Sequence, residues 1–134
     1  MGNPLDVVFA WETAVSTSDI DRACALSDER IEVGDPRSSG RGHLAVRALI
    51  AGGSRVALQL LRTFQRGDVA VVEHRVTSAV SDGSCSTIIV GTVFKVSRGR
   101  LVSVARYDTL GDALCAAGLG LDSEYVRLTA AEKK

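Results

Sequence analysis

The chain has 134 residues, of which 46% are hydrophobic and 4% aromatic, and its 16 basic residues balance its 16 acidic ones. A chain of this length can bury about two thirds of its unfolded surface in one core. We therefore expect a single domain over residues 1–134, with a core at about 4–118 and a C-terminal segment at 119–134. A basic excess would accompany nucleic acid or an anionic membrane as partner, so the balanced charge argues against both.

Soft metal ligands are few and are not spaced as in metal sites. The candidates are Cys24, Cys85, Cys115, His43 and His74. An odd number of widely spaced cysteines predicts buried free thiols in a reducing compartment. We expect no metal and no cofactor.

The N-terminal residues do not form the apolar core of a secretory signal, because Asp6 and Glu12 interrupt it. No apolar run reaches membrane-spanning length. A cytoplasmic protein is expected.

Two helices are predicted at the N-terminus. Asn3 followed by Pro4 is a helix start, and apolar positions then repeat at helical spacing up to Ser16, which predicts a helix over Pro4–Ser16. The positions of that repeat are Leu5, Val8, Phe9, Glu12 and Val15. Ser18 and Asp21 resemble a capping box, which predicts a short second helix that runs to about Leu26.

A short strand is expected over Ile31–Val33, followed by a loop rich in glycine and serine from Gly34 to Gly42. The apolar stretch His43–Ala51 then predicts a buried helix, and Gly52-Gly53 would end it.

From Arg55 onward the pattern changes to β-rich runs separated by turn sequences. These turns are Arg66-Gly67-Asp68, Ser81-Asp82-Gly83-Ser84 and Arg98-Gly99-Arg100. They predict four antiparallel strands in a meander. Each would be longer than the usual strand length of about five or six residues, so the sheet should coil and present a concave face.

A further helix is predicted over Leu110–Ala117, because Thr109 and Asp112 form an N-terminal cap and Gly118 ends it. A last short helix is expected over Leu121–Leu128.

Alternation along the second long strand separates two faces of the sheet. Val71, Glu73, Arg75 and Thr77 point one way, and we expect this set to line a pocket under the helices. Ala70, Val72, His74 and Val76 point the other way, toward the outer face. Both faces of the next strand are largely apolar, which predicts a homodimer through the outer face. The alternative is that the C-terminal segment folds back over that face.

The order helix, helix, strand, helix and long meander resembles the nuclear-transport-factor-2-like superfamily. The resemblance implies an α+β, cystatin-like cone, in which packed N-terminal helices and a long curved antiparallel sheet enclose a small-molecule pocket. Local patterns are similar to limonene-epoxide hydrolase and its SnoaL-like polyketide-cyclase relatives. They are Gly40-Arg41-Gly42, Val71-Val72-Glu73-His74-Arg75-Val76-Thr77 and Arg106-Tyr107-Asp108.

The resemblance to the hydrolase places its strand Arg at Arg75, but the two Asp residues of that mechanism are replaced by Thr77 and Ala105. In that family a Tyr and an Asn on the first strand hold the water molecule, and here Arg30 and Glu32 occupy their places. The epoxide mechanism is therefore expected to fail. The catalytic triad of ketosteroid isomerases has no match either, although Glu32 and Glu73 could act as bases.

Glu73 and Arg75 are the first catalytic candidates. As i and i+2 on one strand, they could act as a base and an anchor for a carbonyl or carboxylate. The alternative is that they satisfy each other as a buried ion pair. Glu32 is a second possible base, and its alternative is an exposed carboxylate at a sheet edge.

The expected ligand-binding residues are Trp11, Val71, Thr77, Val93 and Tyr107. Trp11 could stack on a flat ligand or simply pack in the core, and Tyr107 would line the pocket with a hydroxyl that needs a partner. His43 and His74 are interpreted as structural or interfacial.

Three functions remain open from the sequence. The first is an enzyme of the isomerase, cyclase or hydrolase kind acting on a small apolar metabolite. The second is a non-catalytic binder of such a ligand, and the third is a dimerisation or interaction domain whose pocket is filled by side chains.

Overall fold

Helices at both ends of the chain pack on a seven-stranded sheet in the computed structural model, which describes residues 4–35, 37–51, 56–79 and 83–125. In chain order the elements are α1 (Pro4–Ser16), α2 (Ile20–Ala25), β1 (Ser27–Gly34), β2 (Ser39–Arg41), α3 (His43–Ala51), β3 (Val56–Arg66), β4 (Val69–Ala79), β5 (Cys85–Ser97), β6 (Arg100–Tyr107), α4 (Leu110–Ala117), a 3-10 turn (Leu121–Ser123) and β7 (Glu124–Tyr125). The expected α+β class is confirmed.

The strands lie in the order β2-β1-β6-β5-β4-β3-β7. The predicted meander is confirmed, because β3 to β6 pair antiparallel in sequence order. Its turns after β3 and β5 place Gly67 and Gly99 at φ values of 58° and 77°, where glycine carries no steric penalty. β1 pairs parallel with β6 and so extends the sheet beside the meander.

The helix predictions for α1 and α3 hold at both ends. The start of α2 differs, since the cap is Asp19, whose carboxylate accepts from the backbone N–H of Arg22 at 3.2 Å. Ser18 instead takes a φ of 58° and closes the end of α1. The proposed stop at Gly52-Gly53 lies outside the described residues.

The first strand is longer than predicted, and the expected loop contains β2. Glu32, Val33 and Gly34 pair with Arg41, Gly40 and Ser39, so that backbone hydrogen bonds convert the polar stretch into a hairpin. Composition alone did not show this pairing, because the residues of β2 are all exposed.

Of the two helices predicted near the C-terminus, the first is confirmed and the second is not. Thr109 caps α4 by accepting from Asp112 N at 3.0 Å, and Gly118 ends the helix in the left-handed conformation, both as predicted. The helix expected over Leu121–Leu128 is wrong within the described residues, where one 3-10 turn leads into β7. Backbone pairing of β7 with the free edge of β3 outweighs local helix preference there. Residues 126–128 lie outside the description.

We call the face of the sheet that α1 and α3 cover the inner face. Its strand residues include Ala70, Val72, Phe94, Val96 and Val104, which share one buried cluster with the helices. Trp11 packs edge-on against Phe94, with ring centroids 6.1 Å apart. Trp11 Nε1 also donates to Ser27 Oγ at 3.0 Å, which holds α1 against β1.

The outer face carries α4 at one end. Phe64, Val71 and Val93 form a second buried cluster with Ala113 and Leu114 of that helix. This end of the outer face is therefore covered by α4, which precedes the predicted C-terminal segment at 119–134.

Cys24 is buried as expected, whereas Cys85 and Cys115 are exposed. None of the described helices combines the length and the apolar character needed to cross a membrane.

Candidate functional site

The sequence-predicted site residues lie on both faces of the sheet rather than around one pocket. Trp11 is buried on the inner face. Val71 and Val93 are buried on the outer face under α4, with Tyr107 half-buried beside them. The expectation that this set lines one pocket is wrong, because α1 packs on the face opposite to the one assigned to the pocket.

Arg75 is exposed on the outer face, where its Nη1 donates to Gln59 Oε1 at 3.0 Å. Glu73, in the same strand, is half-buried and lies opposite Arg62 of β3. The alternative interpretation, a buried ion pair between Glu73 and Arg75, is wrong, since α4 covers Val71 and Val93 but leaves Arg75 in solvent.

Glu32 is exposed, and Arg41 Nη2 donates to its Oε1 at 3.1 Å. This matches the alternative interpretation of Glu32 as an exposed edge carboxylate. Thr77 is half-buried on the outer face, with its hydroxyl 3.4 Å from that of Thr87. Glu32 and Tyr107 both line a shallow cleft of about 250 Å³ where β1, β2 and β6 meet.

A different pair of residues has the properties of a functional site. Glu12 of α1 and His74 of β4 meet between the helix and the inner face, with Nε2 of the imidazole 2.6 Å from Oε2 of the carboxylate. Only 6% of the His74 side chain and 13% of the Glu12 side chain are exposed. We call these two residues the Glu12–His74 pair.

The strand register explains why His74 lies there. In β4 it falls between the inner-face residues Val72 and Val76, and its cross-strand neighbours are Leu60 on β3 and Val90 on β5. All four neighbours are aliphatic, so Glu12 is the polar group that approaches the imidazole from the helix side.

The helix places Glu12 by a separate set of contacts. Trp11, the preceding residue, is tied to Ser27, whose hydroxyl in turn donates to Ala23 O at 2.7 Å. This buried chain of hydrogen bonds sets the position of α1 along the sheet. His43 contacts the same segment, with Nε2 2.9 Å from Ser27 O, so the structural interpretation of His43 agrees with its contacts.

Glu12 Oε1, the second oxygen of the carboxylate, is buried and has no hydrogen-bond partner among the described residues. Buried polar atoms in native proteins are nearly always paired, so an unpaired one requires an explanation such as a functional role. With Nε2 engaged, the imidazole nitrogen that this pair does not use is Nδ1.

The sequence did contain signals for this pair. Glu12 occupies the apolar repeat of α1, and His74 stands among valines that alternate toward one face. A carboxylate on an apolar helix stripe and a histidine on an apolar strand face both need buried partners. The prediction that His74 lies on the face away from the helices is wrong, because the helices cover the His74 face.

Two carboxylates away from the pair have lowered pKa values. The backbone N–H groups of Arg37 and Ser38 donate to Asp35 Oδ1 at 2.8 and 2.9 Å and lower the pKa of that carboxyl. Arg62 donates to both oxygens of Glu124, at 3.0 and 2.7 Å, which lowers the pKa of Glu124 and raises that of Arg62. These contacts hold a turn and the β7 segment.

Comparison with known proteins finds no matching family model and no matching curated protein. In contrast, 314 chains of solved structures are similar to this fold. One is an NTF2-like protein of unknown function from Burkholderia pseudomallei, with a TM-score of 0.71 and 17% identity, covering 86% of this chain and 97% of that one.

Two further matches come from proteins with more informative descriptions. A protein with a ketosteroid isomerase-like fold from Catenulispora acidiphila, in complex with trimethylamine, has a TM-score of 0.69 and 16% identity, covering 90% of this chain and 97% of that one. An LEH-like epoxide hydrolase from M. tuberculosis has a TM-score of 0.69 and 19% identity, covering 84% of this chain and 82% of that one.

Proposed function

Because this chain has the nuclear-transport-factor-2-like fold that the sequence resemblance implied, we propose that it is a small-molecule enzyme that transfers a proton with the Glu12–His74 pair. The observation that carries the proposal is the buried contact of 2.6 Å between His74 Nε2 and Glu12 Oε2 on the inner face. The proposed substrate is a small apolar molecule, and the reaction is of the isomerase or cyclase type.

The chemistry follows from the arrangement of the two side chains. In the tautomer that carries its proton on Nε2, His74 donates to Glu12, and the carboxylate thereby orients the ring and leaves Nδ1 as the nitrogen that can accept a proton. Nδ1 would take a proton from a carbon next to an electron-withdrawing group and return it to another atom of the same molecule. This transfer of a proton within one molecule conserves atoms and electrons, so it needs no added oxidant, reductant or metal.

The surroundings favour an apolar substrate. Val76 and Val90 flank the pair and are buried, while Leu60 and Ile88 lie on the same inner face with 43% and 49% of their surfaces exposed. Exposed aliphatic side chains next to a buried polar pair favour contact with a largely apolar molecule. The matched proteins bound to trimethylamine or described as an epoxide hydrolase support a small-molecule function in general.

Non-catalytic binding is a second candidate, supported by one observation. The inward positions of β1 and β6 are occupied by Ile31, Val33 and Val104, all within the buried or partly buried inner cluster. These aliphatic residues cannot hold a water molecule for hydrolysis. They are compatible with a protein that binds an apolar ligand without converting it.

The experiment begins with the ligand that the protein carries from cells. Native mass spectrometry of the purified protein, followed by denaturation, would identify any released molecule. That molecule is then incubated with the protein in D₂O, and its deuterium content is measured. We expect deuterium incorporation or conversion with the wild type, slowed about 100-fold or more in His74→Gln, which retains a donor for Glu12 but no base.

Glu73→Gln is the matched control, because it removes the carboxylate that the sequence favoured and should leave the exchange rate unchanged. Exchange that His74→Gln does not slow would refute the role of the pair. A bound ligand that neither exchanges nor changes would select the binder, and a protein that stays empty with a lipophilic metabolite library would select an interaction domain.

A further inference from the structure

The unpaired oxygen of Glu12 restricts what the ligand can be. Oε2 is committed to His74, whereas Oε1 is buried without a partner among the described residues. A carboxylate oxygen only accepts hydrogen bonds, so the group missing from its surroundings is a donor. We propose that the ligand supplies this donor, as an alcohol or an amine on an apolar body, and this inference rests on the proposed function of the same site.

The polar groups of α1 near Glu12 are already engaged. Ser16 Oγ donates to Glu12 O at 2.9 Å, and Thr13 Oγ1 donates to Phe9 O at the same distance. Trp11 Nε1 donates to Ser27. Since each of these side chains satisfies another acceptor, none of them is available to Oε1 without breaking an existing bond.

On the sheet side, the buried hydroxyl groups of the inner face belong to Thr63 and Thr92, which flank Val72, and neither donates to Oε1. The cross-strand neighbours of His74 are Leu60 and Val90, and the next inner-face residue of β4 is Val76. The proposed donor therefore belongs to a molecule that reaches the pair.

The same neighbours define the rest of the ligand. Leu60 and Ile88 are half-exposed on the inner face and offer contact to a hydrocarbon skeleton rather than to a second polar group. The ligand class that fits is therefore an apolar skeleton that places an O–H or N–H group against Oε1, while the electron-withdrawing group that the proposed proton transfer needs lies elsewhere on that skeleton. A ketone or an ester of the same shape would place a second acceptor against Oε1 and should bind weakly.

The test uses matched sets of probes. Cyclohexane, indane and adamantane skeletons are each compared as the hydrocarbon, the alcohol, the amine and the ketone, with dissociation constants measured by NMR titration. We expect the alcohol or the amine to bind at least about tenfold tighter than the ketone and the hydrocarbon, because hydrogen bonds to charged groups are strong. Tighter binding of the amine would identify an ammonium group as the donor. Tighter binding of the alcohol would identify a neutral hydroxyl group as the donor.

Glu12→Gln gives an independent measurement. Its amide oxygen can still accept from His74, while its NH₂ group replaces Oε1 as a donor, so the preference for alcohol and amine over ketone should vanish or reverse. Glu32→Gln, which changes an exposed carboxylate far from the pair, should keep the wild-type preference.

The inference is overturned if the wild type binds hydrocarbon or ketone as tightly as alcohol and amine on every skeleton, or binds none of the probes. Its failure differs from failure of the proposed function, because the probes report binding without turnover. A wild type that shows the preference but never exchanges deuterium would support this ligand class and refute proton transfer.

Discussion

Glu12 and His74 are polar residues at positions where the surrounding pattern is apolar. Each would be costly to bury alone, and their contact of 2.6 Å satisfies His74 Nε2 and one oxygen of Glu12. Residue types and spacing show that both side chains need partners. They do not show that the partners are each other, because 62 positions separate the two residues along the chain.

The first prediction concerns the energy of this pair. His74→Ala should lower the free energy of unfolding by about 3–5 kcal/mol, because it leaves the Glu12 carboxylate buried without any partner. Urea denaturation of the purified variant would measure the loss. The double variant Glu12→Leu with His74→Leu should recover most of it, since apolar replacements of a buried pair are often neutral or stabilising.

Arg41→Gln is the control at this scale, because it breaks the exposed contact with Glu32, in which both side chains are more than 60% exposed. Surface pairs of this kind contribute at most about 1 kcal/mol. If His74→Ala costs no more than Arg41→Gln, the Glu12–His74 pair is not buried as described.

At the scale of elements, the position of α4 depends on a close approach to β5. A Cβ atom added at Gly91 would lie 2.8 Å from Ala113 Cβ and 3.0 Å from Leu110 Cα. Gly91 therefore allows the helix to lie directly on the strand. The cap and stop of α4 were predictable from Thr109, Asp112 and Gly118, whereas its docking on the outer face was not, because capping signals carry no information about the packing partner.

The second prediction follows from this approach. Gly91→Ala should destabilise the protein by about 1–3 kcal/mol, because the added methyl group forces α4 away from the sheet. Gly111→Ala provides the matched control within α4, since its Cβ would meet only Thr109 Oγ1, at 3.9 Å. It should instead stabilise the helix by about 0.5–1 kcal/mol. Thermal unfolding followed by circular dichroism would separate the two, and equal effects would contradict the described docking.

At the scale of the whole molecule, a homodimer remains a prediction, but the interface predicted from the sequence is wrong: the face with Ala70, Val72 and His74 lies under the helices. A dimer through the sheet would use the opposite face, which the structure makes the outer one. α4 covers the outer face around Val71 and Val93, but the other end of the face carries Arg75 and its cross-strand neighbour Ile89, which is 47% exposed. A second copy of the chain would cover this end, and a monomer would leave Ile89 in solvent.

Two adjacent isoleucines offer a matched test. Ile89→Asp should convert a dimer into a monomer in size-exclusion chromatography with light scattering, because it places a charge in the predicted interface. Ile88→Asp changes an equally exposed residue on the inner face, so it should weaken ligand binding and leave the dimer intact. A wild type that is already monomeric at micromolar concentration would refute the interface.

The amino-acid sequence by itself determined the local elements of this protein. Caps, glycine stops and hydrophobic periods act between near neighbours, and so α1, α3, α4 and the four-strand meander were all predictable, as was the superfamily-like order of elements. Only the tertiary structure decided which face of β4 meets the helices. Both faces carry valines, and side chains alternate every residue, so an error of one position moves Arg75 to the inside and His74 to the outside. Apolar packing of α1 on Val72 and Phe94 decides that choice by holding the helix over the His74 face, and this places the candidate site at Glu12 and His74 rather than at Glu73 and Arg75.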